Sequence, residues 1–199
     1  MNILEGIKTR RSTRKFLDKP VEMEKLEAIL EAGRYAPSGK NYQGCHFIVV
    51  QDKEKIGALQ DLVIRRFKDI DENDRDVSVH LKESAKSARN ENYVFHFNPP
   101  VFILVANIGD TGNNYVDSAC ALQNMMLACN ELDLGSCWIN QLRWLNEDEE
   151  TNAILRESYG LGEDEKIYGC LSLGYPDTED GLPKRDPSPR KGNEVTWLD

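Results

Sequence analysis

Apolar residues recur at helical spacing in four main stretches of the chain. A short stretch near the N-terminus predicts a helix of about two turns, carried by Ile3, Leu4 and Ile7. Residues 22–35 and 53–68 place charged residues between helically spaced apolar ones, which is typical of amphipathic helices. Residues 114–133 are apolar on nearly every face, and Gly135 follows them. They predict a central helix that is buried on all sides.

Four shorter apolar runs predict the strands of a sheet. Residues 46–50 and 101–106 form the first two, and the second of these is apolar at every position, as a central strand is. Residues 136–139 and 167–175 predict two more strands. Together with the helices they predict an α+β fold in which helices surround a central mixed β-sheet, within a single domain that spans residues 1–199.

Two further stretches have a weaker pattern. Asn146 and Glu149 have the spacing of a capping box, which predicts a helix over 147–158, and Gly160 is the expected residue at its C-terminal end. Residues 68–92 are densely charged and only lightly amphipathic. They predict a solvated helix or a mobile cover.

The composition narrows the classes of partner. The formal net charge is −9, with 40% hydrophobic and 30% charged residues. A nucleic-acid partner requires a broad positive face, so none is expected. No apolar run approaches the ~20 residues of a membrane helix, and the first residues lack the apolar core of a signal peptide. We therefore expect a cytoplasmic protein with no membrane partner.

The residue types that usually carry chemistry are not arranged for it. The five cysteines are odd in number, form no C-x-x-C pair and lie mostly in apolar stretches: Cys45, Cys120, Cys129, Cys137 and Cys170. We expect no disulfide framework, no metal site and no catalytic thiol. The three histidines do not cluster, and the chain has no dinucleotide fingerprint, Walker loop or nucleophile elbow. Catalytic side chains are therefore not predicted.

Positive charge is concentrated near both ends of this acidic chain. Residues 10–15 read Arg-Arg-Ser-Thr-Arg-Lys, and two smaller clusters, 183–185 and 189–191, each place two basic residues after a proline. If the two ends meet in the fold, arginine forks and a serine hydroxyl would clamp one phosphate from two sides. The alternative is that Arg10 and Arg11 only compensate the dipole at the end of the first helix.

Two polar segments at element boundaries are further candidates. Residues 37–43, Pro-Ser-Gly-Lys-Asn-Tyr-Gln, lie between the second helix and the first strand. Their hydroxyl and amides suit the edge of a flat heterocycle, and they also suit an ordinary turn. Residues 134–141 follow the central helix and include Trp138, which either lies beside a ligand or packs as a core aromatic.

The order of these segments resembles the nitroreductase family of FMN-dependent oxidoreductases. The resemblance extends over essentially the whole chain and rests on five motifs: Arg10-Arg11-Ser12-x-Arg14-x-Phe16, Ala36-Pro37-Ser38 with Asn41 and Gln43, Leu134-Gly135-Ser136-Cys137-Trp138-Ile139, Gly174-Tyr175-Pro176, and Pro189-Arg190-Lys191. The chain departs from the family pattern at Gly44-Cys45, Asp133 and Asn140. Those departures leave the class of substrate open.

The resemblance implies three groups of cofactor-binding residues. The FMN phosphate would be held by Arg10, Ser12 and Arg14, beside Arg11, and by Arg190 and Lys191 from the tail. A loop that reaches the isoalloxazine across a dimer interface would contain Pro37, Ser38, Gly39, Asn41 and Gln43. The segment against the reactive face of the flavin would be Cys137, Trp138, Ile139, Asn140 and Gln141.

The resemblance also implies an activity and an assembly. NADH or NADPH would deliver hydride to N5 of FMN, and a nitroaromatic, quinone or similar flat acceptor would then take the electrons by a ping-pong route. The alternatives are an FMN-dependent reductive dehalogenase, a flavin-processing enzyme and a non-catalytic FMN-binding module. Members of the family form an intertwined homodimer with C-terminal strand exchange, so we expect a strand at about 194–198 that pairs with the partner subunit.

Overall fold

Helices and strands alternate along most of the chain. The computed structural model describes residues 2–109 and 112–198. Within them the helices are α1 Ile3–Thr9, α2 Met23–Arg34, α3 Lys53–Lys68, α4 Val79–Ala88, α5 Asn114–Glu131, α6 Gln141–Trp144 and α7 Glu149–Tyr159. The strands are β1 His46–Val50, β2 Val101–Ile108, β3 Gly135–Ile139 and β4 Glu165–Gly174, and a 3-10 turn covers Gly39–Asn41. The predicted α+β class is confirmed.

The four strands form one sheet in the order β1-β2-β4-β3, and each neighbouring pair is antiparallel. The expectation of a mixed sheet was wrong for these strands. Two helices, α3 and α4, connect β1 to β2. A pair of helices brings the chain back to the end of the sheet at which β1 finishes, so β2 runs antiparallel to β1. A parallel contact does occur at the outer edge of β3, as the isolated bridge between Ser12 and Ser136.

Helices cover both faces of the sheet. On β2, Phe102 and Leu104 face a core formed with α3, α4, α6 and α7, while Ile103 and Val105 face a second core formed with α2 and α5. A strand that is buried on both faces has no polar alternation, which is why residues 101–106 of β2 are all apolar. The functional candidates therefore lie at the edges and ends of the sheet.

The cap of α7 differs from the prediction. Asp148 is the N-cap, and its Oδ2 accepts from the backbone N–H of Thr151 at 2.9 Å. Asn146 instead pairs with the start of β4: its Nδ2 donates to the carbonyl of Ile167 at 2.7 Å, and its Oδ1 accepts from Ile167 N at 3.0 Å. Asn146, two positions before the observed N-cap, has the spacing of a capping box, but its side chain bonds to β4 instead of capping the helix. Gly160 follows α7 with φ 77°, as expected.

Asp148→Ala should destabilise the protein by about 2 kcal/mol, because the cap and the contact with Arg66 are lost together. Burial raises the pKa of Asp148, but hydrogen bonds from Arg66 and Thr151 outweigh burial and set it below its ordinary value. A carboxylate with a depressed pKa stabilises above its unfolded value, so the difference from wild type should shrink below about pH 4.

Denaturant unfolding at neutral and acidic pH measures both effects. Glu147→Ala is the matched control. Glu147 lies immediately before the N-cap residue Asp148, and its side chain is 86% exposed. Equal stability of the two variants at pH 7 would contradict the importance of the Asp148 cap.

The tail after β4 has no regular secondary structure in this single chain. Residues 182–198 contain no helix or strand, and Trp197 is 85% exposed. The strand expected at 194–198 was to pair with a second subunit, so it stays a prediction. Within the charged stretch 68–92, α4 is the helical part. Among the described residues, no helix has the length and apolar character needed to cross a bilayer.

Candidate functional site

The two basic ends of the chain meet at one cavity. Its volume is about 870 Å³, and its lining includes Arg10, Arg11, Ser12 and Arg14 from one end and Arg190 from the other. Lys191 follows Arg190 in the chain but is not part of the lining. Five of the six residues expected around a phosphate are therefore brought together by the fold.

The N-terminal basic segment reaches this position by running along the edge of the sheet. Thr13 N donates to the carbonyl of Ser136 on β3 at 2.9 Å. Gly135 makes the close approach possible, since a Cβ there would lie 2.6 Å from the side chain of Thr13. Farther on, Leu17 N donates to Tyr175 O at 2.8 Å. These backbone bonds hold residues 12–17 extended, so that their side chains border the cavity.

Arg10 is the residue whose environment most clearly calls for an anion. Its Nη1 is buried and has no hydrogen-bond partner among the described residues. Burial lowers the pKa of its guanidinium, and the charges of Arg11 and Arg190 lower it further. A buried cationic donor without an acceptor is unfavourable. A phosphate in the cavity would supply the acceptor and the negative charge, so the residues present fit that group.

Arg11 has a different role from its neighbour. Its Nη2 donates to the carbonyl of Lys8 at 2.8 Å, its Nε donates to Asp186 O at 2.6 Å, and its Nη1 donates to the carbonyl of Arg10. Arg11 therefore caps the C-terminal end of α1 and holds the tail. The dipole alternative considered for this cluster is correct for Arg11, whereas the Nη1 of Arg10 remains available to a ligand.

Cys137 lies behind the arginines. It is buried on β3, and burial raises the pKa of its thiol. The positive charges of Arg14 and Arg10 and a hydrogen bond with Ser12 partly oppose this rise in pKa. Burial also raises the pKa of Cys129 to about 12 and raises that of Cys170. Burial thus favours the protonated form of these thiols at neutral pH, and a protonated thiol is a poor nucleophile.

The loop at residues 37–43 is held by the central helix. Gly39 N donates to Oδ1 of Asp117 on α5 at 3.1 Å, and Gln43 N donates to Oγ of Ser38 at 2.9 Å. The amide of Gln43 donates to Oδ1 of Asn41 at 3.0 Å. Both residues have positive φ, at 52° and 57°, so the loop is tightly wound. An added Cβ at Gly39 would collide with the amide of Asn113.

Within one chain this loop does not reach the basic cavity. Pro37, Ser38 and Gln43 line a separate cavity of about 240 Å³ together with Asp117, and the two linings share no residue. Sequence reasoning missed Asp117. A carboxylate in the first turn of a nearly apolar helix was the signal that could have identified it.

The segment at residues 138–141 is fixed by a chain of hydrogen bonds. Trp138 Nε1 donates to Oδ1 of Asn140 at 2.8 Å, and Asn140 N donates to Oε1 of Gln141 at 3.2 Å. The amide of Gln141 then donates to the hydroxyl of Tyr93 at 2.8 Å. Trp138 packs on the core of α2 and α5, and Ile139 is buried in the other core.

Tyr93 connects this segment to the basic one. It lines a cavity of about 470 Å³ together with Arg14, Lys15 and Phe97. The guanidinium of Arg14 lies 5.7 Å from the centre of the Phe97 ring, a cation–π contact. Sequence reasoning missed Tyr93 because it follows a charged stretch with no regular pattern. The described residues contain no group of three or more metal-ligating side chains.

Comparison with known proteins accounts for the arrangement of these segments. A family model described as the nitroreductase family matches residues 7–175. A nitroreductase from Bacteroides fragilis, solved with bound FMN, is 36% identical, with 100% of both chains covered and a TM-score of 0.84. A nitroreductase from Desulfitobacterium hafniense with bound FMN shares the fold, at 23% identity, 100% coverage of both chains and a TM-score of 0.80.

A relative from Archaeoglobus fulgidus, provisionally named an NADH dehydrogenase/NAD(P)H nitroreductase, is 30% identical over 88% of this chain and 86% of its own length. The family model covers most of the chain. The chain belongs to the nitroreductase family.

Proposed function

We propose that the protein is an FMN-dependent NAD(P)H oxidoreductase, a single domain over residues 1–199 that works as a homodimer. When bound, FMN would take hydride from NADH or NADPH and pass electrons by a ping-pong route to a nitroaromatic, quinone or similarly flat acceptor. The observation that carries the proposal is the buried, unpartnered Nη1 of Arg10 at a cavity that also contains Arg190. The FMN-bound relative from Bacteroides fragilis supports the identity of the cofactor.

The basic cavity would bind the phosphate end of FMN. Arg10 and Arg14 would supply charged donors, Ser12 would supply a hydroxyl, and Arg190 with Lys191 would close the site from the tail. Charge-assisted hydrogen bonds of this kind are about twice as strong as neutral ones. Such contacts anchor the cofactor without taking part in electron transfer.

The segment at residues 137–141 would lie against the flavin ring. Hydrogen bonds link Trp138, Asn140 and Gln141 to one another and to Tyr93, so a backbone N–H of this segment would be held in a fixed position as a donor to the bound flavin. A rigid donor costs little reorganisation when charge develops on the cofactor.

The loop at residues 37–43 would reach the flavin of the partner subunit. In one chain it lies away from the basic cavity, and a dimer can bring the two together. Large apolar side chains at the surface support such an interface, since monomers rarely leave many of them in water. They include Ile3, Leu4, Tyr35, Tyr42, Val116, Val195, Trp197 and Leu198.

The histidines are engaged in structural contacts, which supports chemistry that resides on a cofactor. His46 Nδ1 lies 2.9 Å from Oε2 of Glu165, and the His80 ring stacks on Trp144 with centroids 4.9 Å apart. His96 is buried, and burial lowers its pKa to about 4, so it is neutral at physiological pH. The chain would bind and orient the reactants instead of acting as an acid or base.

The test is an anaerobic titration of the FMN-loaded protein with NADH and with NADPH. We expect a yellow protein whose visible flavin absorbance is bleached by at least one nicotinamide and restored by a nitroaromatic or quinone. Free FMN at the same concentration, without protein, is the control. A protein that binds FMN but is not bleached would be a binding module, and reoxidation by a halogenated aromatic alone would indicate a dehalogenase. A protein that does not bind FMN would overturn the proposal.

A further inference from the structure

The C-terminal tail is attached to the body of the protein at two consecutive residues. Arg185 Nη2 donates to the carbonyl of Asn130 and, at 2.7 Å, to Oδ1 of Asp133. Its Nε donates to Oδ1 of Asn130 at 3.3 Å. The next residue, Asp186, accepts from Nε of Arg11 at 2.6 Å through its carbonyl. Four residues later the chain reaches Arg190 at the basic cavity.

Both attachments use the C-terminal end of a helix. The final carbonyls of a helix lack intrahelical donors and carry partial negative charge, so they attract cations. The last turn of α5 contains no basic residue, and Leu134 N bonds to Cys129 O, so the carbonyl of Asn130 takes its donor from Arg185. At α1, Arg11 caps Lys8 O and extends the contact to the tail.

The two attachment points are connected to each other. Asn130 is buried on α5, and its Nδ2 donates to Gly6 O at 3.4 Å and to Oγ1 of Thr9 at 3.3 Å, both on α1. Asn130 therefore joins the ends of α1 and α5, and Arg185 of the tail contacts the same asparagine. This network is a rigid base for the tail.

We propose that Arg185 and Arg11 form a latch that positions Arg190 for the phosphate of the cofactor; this inference rests on the proposed function. Neither arginine of the latch needs to touch the phosphate, since Arg11 bonds three backbone carbonyls and Arg185 bonds Asn130 and Asp133. With the latch closed, about four residues separate the last anchor, Asp186, from Arg190. Without it, the preceding backbone anchor is Asp177, whose N–H bonds to Lys15 O, and about thirteen residues intervene.

The length of free chain sets the size of the effect. The effective concentration of a tethered group falls roughly as the −3/2 power of the length of its tether, so full opening of the latch should lower the local concentration of Arg190 about sixfold. Arg185→Ala leaves the bond from Arg11 Nε to Asp186 O in place, so it opens the latch only in part and should raise the Kd for FMN about threefold. Arg185→Lys, which keeps the charge but lacks the planar fork, should have a smaller effect.

Arg156→Ala is the matched control. The side chain of Arg156 is 35% exposed, against 34% for Arg185; its Nη2 donates to the carbonyl of Glu163 at 3.1 Å, and its Nε lies 3.8 Å from the carboxylate of the same residue. Its removal should lower stability to a similar degree and leave the Kd for FMN unchanged. Comparison of the two variants separates positioning of the tail from general stability.

Two measurements show whether the latch acts through the tail. In a background with Arg190→Ala and Lys191→Ala, adding Arg185→Ala should change the Kd for FMN by less than twofold, because there is no longer a group to position. In the absence of FMN, trypsin should cleave wild-type protein after Arg190 or Lys191 more slowly than it cleaves Arg185→Ala, as followed by mass spectrometry.

Each outcome bears on a different proposal. If wild type binds FMN and Arg185→Ala binds it equally well, the latch is wrong while the proposed function stands. An equal loss of affinity in Arg156→Ala would show that stability alone is responsible, and it too would overturn the latch. If wild type does not bind FMN, the proposed function fails, and unchanged tryptic cleavage of the tail in Arg185→Ala would reject the latch independently.

Discussion

Replacing Arg10 by alanine is expected to weaken FMN binding by one to two orders of magnitude. The Nη1 of Arg10 is buried and has no hydrogen-bond partner within residues 2–109 and 112–198, so a bound phosphate would give it an acceptor. Losing a charge-assisted bond of this kind should cost ~1.5–3 kcal/mol of binding free energy. Quenching of flavin fluorescence during titration with protein measures the Kd directly. The apoprotein should not lose stability in proportion, because removing a desolvated charge relieves an unfavourable burial.

The three arginines of the N-terminal cluster should rank by their free donors. Arg14→Ala should also weaken FMN binding substantially. Arg14 lines the same cavity, and its guanidinium lies over the ring of Phe97. Arg11→Ala should have a smaller effect, through the tail, because its guanidinium is already bonded to three carbonyls. Unchanged FMN affinity in both the Arg10 and Arg14 variants would reject this cavity as the phosphate site.

Truncation after Arg185 is expected to weaken the dimer and FMN binding together. It removes Arg190 and Lys191, which the proposal places at the phosphate, and the segment 194–198, which is proposed to pair with the partner subunit. Trp197 and Leu198 are largely exposed in a single chain, so covering them in a dimer should be favourable. Sedimentation and flavin titration on the same samples measure the two losses.

A second truncation, after Lys191, separates the two functions of the tail. It keeps the basic pair and removes the proposed exchange strand. We expect a weakened dimer, with FMN affinity at high protein concentration reduced much less than in the shorter variant. If the chain truncated after Arg185 remains dimeric and retains its full flavin content, the tail has neither of these roles.

The secondary structure was largely predictable because burial follows local periodicity. The apolar run at 101–106 became part of β2, which is buried on both faces, and the stretch at 114–133 became α5. The expectation that this helix is buried on all sides was wrong for a single chain, because Tyr115 and Val116 are exposed. Strand direction was not predictable, because the same apolar runs suit a mixed or an antiparallel sheet. The cap of α7 was assigned to the wrong residue because Asn146 has the spacing of a capping box, whereas Asp148 has only a residue type favoured at an N-cap, and only the position of β4 gives Asn146 another partner.

Part of the candidate site was also predictable from the sequence, and part was not. The basic residues at both ends, the loop at 37–43 and the segment at 137–141 were recognisable because their motifs occur in a characteristic order along the chain. Asp117 and Tyr93 were missed because each acts on a segment far from it in sequence: one bonds Gly39, the other Gln141. Long-range polar contacts leave no periodic signal in a single sequence.

The sequence by itself determined which segments are helix, strand or polar loop, the family to which the chain belongs, and the presence of arginines beside a serine. Only the tertiary structure decided how those arginines differ. Arg10 and Arg11 are adjacent and chemically identical, yet one keeps a buried donor without a partner and the other bonds three carbonyls. That difference arises from packing against the end of α1 and the returning tail. Such contacts depend on where distant parts of the chain meet, which no local pattern specifies.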